Sequence, residues 1–317
     1  MAGLGLLAVA ACGRGGARVT ETATPYLRCL ALDPPKARQA QVGPAKLSLE
    51  ERRLTIEGLE PPLRLAAFSG PGFGGPPAAA QLEALKAAEA QLILVLGGLG
   101  DEQTTADATA AALATLGPPV LVVAGGRDQP ERIERAIDSV AGGGERIIDA
   151  TALRSIDIGS DTLIPVAGAS EGRYALGPKH CGHGLDDLKD IAGELGAGGL
   201  GRRWLIAWHA PGQSGPRGVA RTEAGLDLGS ADLAELGRRV GAAGGLFAWP
   251  AVQAVRPTAD GGGRRVGVDV PAPDLRLVVP RLSGVALERD DGSQVLPGFA
   301  LLRLDHKGLR LVSVVGQ

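Results

Sequence analysis

Asp101, Asp128 and His209 each stand in a turn that directly follows a short apolar run, and two carboxylates with an imidazole are donors a divalent cation can use. The turns read Ser69-Gly-Pro-Gly72, Gly97-Gly-Leu-Gly-Asp101, Gly125-Gly-Arg-Asp128 and His209-Ala-Pro211. Hydrolysis on a metal needs several donors converging on the ion and an open position for an activated water. Around those three residues, however, the turns offer Gly, Pro and Ser, which cannot supply the missing donors, and Arg127 brings a fixed positive charge. The runs that position the turns, residues 65–68, 92–96, 120–124 and 204–208, are the pattern of buried strands in an α/β sheet. Sites in such sheets lie beyond the carboxyl ends of the strands, so Ser69, Gly98, Arg127, His209 and Trp249 are expected to converge on one rim.

The order and context of these turns resemble the calcineurin-like metallophosphoesterases over roughly residues 62–255. The motifs of that family read D-x-H-G, G-D-x-x-D or G-D-x-x-G, G-N-H-D/E, a lone His, and G-H-x-H. The resemblance implies that the first Asp falls on Ser69 and its His on Pro71, while Gly72 keeps the glycine. The bridging Asp falls on Gly98, with Asp101 at the last position of that motif. The Asn ligand becomes Gly126 and the catalytic His becomes Arg127, leaving Gly125 and Asp128 in place. His209 keeps the lone His, and the final motif falls on Trp249-Pro-Ala-Val252, losing its His ligands at Pro250 and Val252. The fold implied is α/β, two packed, mostly mixed β-sheets flanked by helices in a four-layer sandwich. With one expected ligand left, neither catalytic residues nor a bound metal are expected, and the chain reads as a pseudo-enzyme acting as a binding or scaffold protein. The alternative is a residual phosphoesterase that holds one divalent metal ion through His209, Asp101 and Asp128.

The start of the chain points to a compartment. An apolar run over residues 4–11 meets Cys12 through Val9-Ala-Ala-Cys12, which resembles the lipobox of bacterial lipoproteins. The run is too short to span a bilayer, which takes about 20 apolar residues, and suits a signal peptide. The implied division is a signal peptide over 1–11, a lipidated Cys12 with a tether over 12–45 that holds one apolar island at residues 26–32 and partly docks on the domain, and a folded domain over 46–317. Partners would then be the membrane, through a diacylated anchor, and an envelope protein or ligand. By the same resemblance, Gly13 after the cysteine implies a periplasm-facing anchor in the outer membrane. Cys29 and Cys181 remain; in an oxidising compartment they can pair, or stay as two buried or free thiols.

Composition excludes other classes. The net charge is −2, charged residues make up 21% and aromatics only 3%, without a basic stripe interleaved with aromatics, so no nucleic-acid partner is expected. With 44% hydrophobic residues, the chain can bury a large core of Leu, Val and Ala.

Helical spacing appears over 78–90, 104–116, 131–140, 185–195 and 231–240, alternating with the strand runs as in β-α-β units. Residues 45–49 and 53–56 read as a hairpin, and further short strands are expected at 147–148, 156–158 and 163–167. The tail predicts strands at 266–270, 275–279, 298–304 and 309–314, the last of them forming an outer sheet. Gly70-Pro-Gly72-Phe-Gly-Gly75 formally fits a dinucleotide fingerprint, but Pro76-Pro77 removes N–H donors where a pyrophosphate would need them. His180, Cys181 and His183 form an H-C-x-H cluster too compact to complete a metal site without remote help. Arg202, Arg203, Arg217 and Arg221 bracket the His209 turn and read as a solvated face.

Overall fold

The computed structural model describes residues 26–140, 143–170, 174–196, 201–212, 219–220, 226–249, 258–260, 264–282, 286–288 and 294–316. Cys12 and the signal segment, Pro250, Val252, Arg217 and Arg221 lie outside the described residues.

Leu63–Phe68, Leu92–Leu96, Val120–Val123 and Ile147–Asp149 are nearly continuous runs of buried residues. They pair in parallel, as strands covered on both faces do. Helices Ala79–Ala87, Gln103–Ala114 and Pro130–Asp138 connect them. Pro130-Glu131 opens the third of these helices with a pre-set φ and a carboxylate at the positive end of the dipole, and Ile133, Ala136 and Ile137 bury its inner face. The last two strands, Phe299–Asp305 and Gly308–Val315, form a hairpin that adds antiparallel to Leu63–Phe68 and completes six strands.

The larger sheet has nine strands. Its centre is parallel: Asp161–Val166, Arg202–His209, Ala242–Trp249 and Arg276–Val278. Thr258–Ala259 closes one edge, while Ser155–Ile158, Arg53–Glu57, Ala45–Glu50 and Arg38–Val42 extend the other. Helix Ala231–Arg239 starts where Ser230 Oγ accepts from the Leu233 amide at 3.2 Å, and it packs Leu233 and Leu236 inward. One apolar core cluster runs through both sheets, and helices accompany each, which is the expected α/β sandwich.

The details differ from the sequence reading in three places. The final hairpin does not build a separate outer sheet; it extends the first, because Leu302 and Leu304 lie opposite Leu65 and Leu63 and bury the same face. Residues 266–270 form no strand: Val268 is 58% and Val270 49% exposed, so the alternation there has no surface to cover it. The segment read as a partly docked tether goes further than expected: Arg38–Val42 pairs Ala45–Glu50 as the sheet's edge strand.

The apolar island in that segment docks tightly. Leu27–Arg28, Cys181–His183 and Ala169–Ser170 make a small parallel sheet, and Cys29 and Cys181 form a disulfide with Cα atoms 5.3 Å apart. Cys29 and Leu30 are fully buried, and Arg154 and Arg52 donate to the carbonyls of Leu30 and Leu32 at 2.6 Å each. Among the described residues no helix is long and apolar enough to cross a membrane.

Candidate functional site

The turns after the strands meet, as parallel strands dictate. Gly70 and Gly72 amides donate to the carbonyls of Gly97 and Gly98 at 2.8 Å, joining the first two turns. The Gly98 and Gly125 amides both donate to Asp128 Oδ2, at 2.8 and 2.7 Å, joining the second to the third. The larger sheet arrives through Trp208, whose ring edge rests on Gly97 and Gly125; a Cβ at Gly125 would stand 2.3 Å from Trp208 Cδ1. His209 follows at the end of its strand, with Trp249 opposite it in the parallel register. Ser69, Gly98, Arg127 and His209 therefore share one rim, and Trp249 reaches it through its backbone.

The donors at this rim are already engaged. Asp128 is 3% exposed and works as an internal acceptor. Burial pushes its carboxyl pKa up, the amides of Gly125, Gly98 and Leu99 pull it down, and the Asp101 charge raises it again. Asp101 faces Arg127, Oδ2 to Nη2, at 3.7 Å. His209 Nε2 donates to the Leu228 carbonyl at 2.8 Å, and its ring meets Tyr174 edge-on with centroids 5.2 Å apart. It borders a cavity of about 60 Å³ that Ser170, Asp227 and Ser230 also line. Ser69 Oγ bonds the Pro280 carbonyl at 3.4 Å, and a side chain at Gly126 would run into Ala169 and the Tyr174 carbonyl. Among the described residues no group of three or more His, Cys, Asp or Glu side chains is assembled. These residues do not fit a two-metal centre: the turns that would carry ligands carry glycine, proline and packed aromatic rings, Asp128 and His209 are held by protein partners, and Asp101, exposed and 3.7 Å from Arg127, is a single donor beside a fixed positive charge.

Phe73 occupies the middle of the rim. The Arg127 guanidinium lies 4.9 Å from the centre of its ring and the Arg281 guanidinium 4.5 Å, two cations on one aromatic side chain. Arg281 is carried there by the bridge between Ser69 and Arg281 and by the Leu282 amide donating to the Ser69 carbonyl at 2.8 Å. Arg132 Nη1 donates to the Gly100 carbonyl at 3.2 Å nearby.

No known protein family profile matches the chain, and no curated protein does. Solved structures are similar to it in fold. One aligns with a TM-score of 0.54 at 14% identity, over 79% of this chain and 98% of that chain. TT1561 of Thermus thermophilus aligns with a TM-score of 0.51 at 15% identity, over 79% of this chain and 98% of that one.

The other motifs resolve into packing. The glycines of residues 70–75 admit Phe73 and the neighbouring turn: a Cβ at Gly70 would stand 2.3 Å from Phe73 Cδ2, and one at Gly72 1.8 Å from the Leu99 carbonyl oxygen. In the H-C-x-H cluster, Cys181 is consumed by the disulfide. His183 is buried, with Nδ1 donating to the Ala167 carbonyl at 2.8 Å and Nε2 meeting Ser170 Oγ at 3.0 Å. His180 Nε2 takes a bond from Gln129 at 3.4 Å. Arg202 is held by both oxygens of Asp161, at 2.9 and 3.0 Å, and Arg203 bonds the carbonyls of Gly196, Leu195 and Val240. Both lie at the start of the strand that ends in His209, away from the rim.

Sequence reasoning missed Phe73, Trp208 and Arg281. Signals existed: Phe73 is a rare aromatic inside a glycine turn, and Arg281 follows the strand-like residues 275–279 just as Ser69 and Arg127 follow theirs.

Proposed function

We propose that this chain is a non-catalytic relative of the calcineurin-like metallophosphoesterases, working as a binding or scaffold protein and held at the bacterial envelope by a lipidated Cys12. The observation that carries the reading is the filling of the rim. Trp208 packs onto Gly97 and Gly125, and Asp128 turns inward to backbone amides, where hydrolysis would need metal ligands and space for a water. The Cys29–Cys181 disulfide accords with an oxidising compartment such as the periplasm. The division into signal peptide, tether and domain, and the outer-membrane placement, belong to the same proposal.

The test is elemental analysis of the purified chain together with phosphodiesterase and phosphomonoesterase assays in added manganese or zinc. The expected outcome is less than stoichiometric metal and no turnover above buffer. One or two tightly held ions per chain, lost together with a measurable activity on chelation, would return the chain to the hydrolases. For the anchor, labelling with a fatty acid should mark the wild type and leave Cys12→Ala unmarked.

A further inference from the structure

We propose that Arg127 and Arg281, braced on Phe73, form a metal-free cradle for a small tetrahedral oxyanion, a phosphate or sulfate group carrying close to two negative charges. The proposal deepens the reading of the rim as a binding surface, on which it rests, and names what is bound. Both guanidiniums lie within 5 Å of the Phe73 ring centre, which holds the two cations side by side, and neither donates a hydrogen bond among the described residues, so their N–H groups remain for oxygen acceptors. The side chain of Arg127 is 45% exposed and that of Arg281 half-buried, so the pair opens to solvent.

Among the described residues the charges at the pair are not balanced. Asp101 is the acidic group at the pair, 3.7 Å from Arg127, a distance too long for a hydrogen bond. Arg281 Nε is buried and has no hydrogen-bond partner among the described residues, which an oxygen acceptor would relieve. Burial first, and then the Arg127 charge, push the Arg281 pKa down, with Asp101 opposing. The nearby His180 also feels Arg132 and Arg127 as positive charges. Two forked guanidiniums match a tetrahedral dianion better than a single carboxylate, which one fork can satisfy. Asp101 is the internal competitor for the same site.

The experiment is calorimetric titration of the full metal-free chain with inorganic phosphate and with sulfate, against chloride at matched ionic strength, with the Arg281 Nε–H signal followed by NMR. Saturable one-site binding is expected, with the Arg281 signal shifting in step. Arg127→Ala and Arg281→Gln should each weaken binding by about tenfold or more. Arg64→Ala, which removes an exposed cation paired with Glu89 at the far end of the first strand, should leave binding unchanged. Asp101→Asn should tighten binding several-fold, a gain that a purely structural pair would not show. If Arg281→Gln does not fold, the exposed Arg127→Ala and Asp101→Asn still decide.

Absence of saturable binding, equal weakening by Arg64→Ala, or no gain in Asp101→Asn would overturn the cradle. So would capture by phosphatidylglycerol vesicles without any response to free phosphate, which would point to a singly charged lipid headgroup. The proposed function fails differently: phosphate binding that requires added metal, accompanied by ester hydrolysis, would overturn that reading. Lack of binding in a chain that is also inactive and metal-free would overturn the cradle alone.

Discussion

At the corner where Leu27–Arg28 docks, the groups that could do chemistry are spent inside the fold, whereas around Phe73 they are left reaching outward. Cys29 is tied to Cys181, and both ring nitrogens of His183 have partners. Asp187 takes Arg28 Nε and Nη2 on one oxygen, at 3.0 and 2.6 Å, and the Gly184 amide on the other at 2.9 Å. At the rim, Arg281 Nε has no hydrogen-bond partner among the described residues, and Arg127 has one carboxylate at long range. Buried polar groups are mostly paired, and an unpaired one calls for an explanation such as a ligand or a water. Arg154 Nε and Nη1 at the first corner and His180 Nδ1 also lack a hydrogen bond, so what sets Arg281 apart is the second cation beside it on Phe73. Residue type does not separate the two regions: H-C-x-H looks more like a site than Phe-Gly-Gly, yet it is the structural one.

The comparison breaks or holds first at the disulfide. Replacing Cys29 and Cys181 together by Ser should remove about 3 kcal/mol from the unfolding free energy in urea, the typical cost of losing a long-range crosslink. The phosphate response should survive in conditions where the chain stays folded; if it disappears with the disulfide, the two regions are not independent.

A smaller effect comes from His183. Burial holds its pKa below the ordinary 6.5, so the native state keeps the ring neutral while the unfolded chain takes up a proton. Stability is therefore retained above about pH 6.5 and lost as the pH falls below it, with a slope of at most about 1.4 kcal/mol per pH unit from this group. Urea unfolding of wild type and His183→Gln from pH 7.5 to 5.5 should show a shallower loss in the variant. Equal slopes would mean that His183 takes up its proton alike in the folded and unfolded chain.

The smallest expected effect sharpens the comparison most. Arg127→Ala should change stability by less than about 0.5 kcal/mol, because an exposed pair at 3.7 Å contributes little. A loss several times larger in thermal or urea unfolding would show that Arg127 is structural, like the residues of the disulfide corner.

Much of the fold was legible because it is written locally. The strand runs through Leu65, Leu94, Val122 and Ile206 are apolar on both faces, and the turns after them carry Gly and Pro, so the parallel core and its rim follow from burial and turn chemistry. The helices expected from spacing over 131–140 and 231–240 form for the same reason, and the structure adds their local starts, Pro130 at the first turn and the Ser230 cap. The candidate site was legible in position but not in content: Ser69, Gly98, Arg127 and His209 were placed on one rim, while its centre, Phe73, was read as part of a turn.

The sequence by itself determined which segments become buried strands, where their polar ends gather, and that metal donors are scarce there, since each depends on residues adjacent in the chain. Only the tertiary structure decided the rest. It brought Cys29 to Cys181 across 152 residues, set the Trp208 ring against Gly97 and Gly125, sent the final hairpin to the first sheet, and put Arg281 beside Arg127 on a shared phenyl ring. Those pairings depend on side-chain shape and charge meeting through space, which no periodicity along the chain encodes.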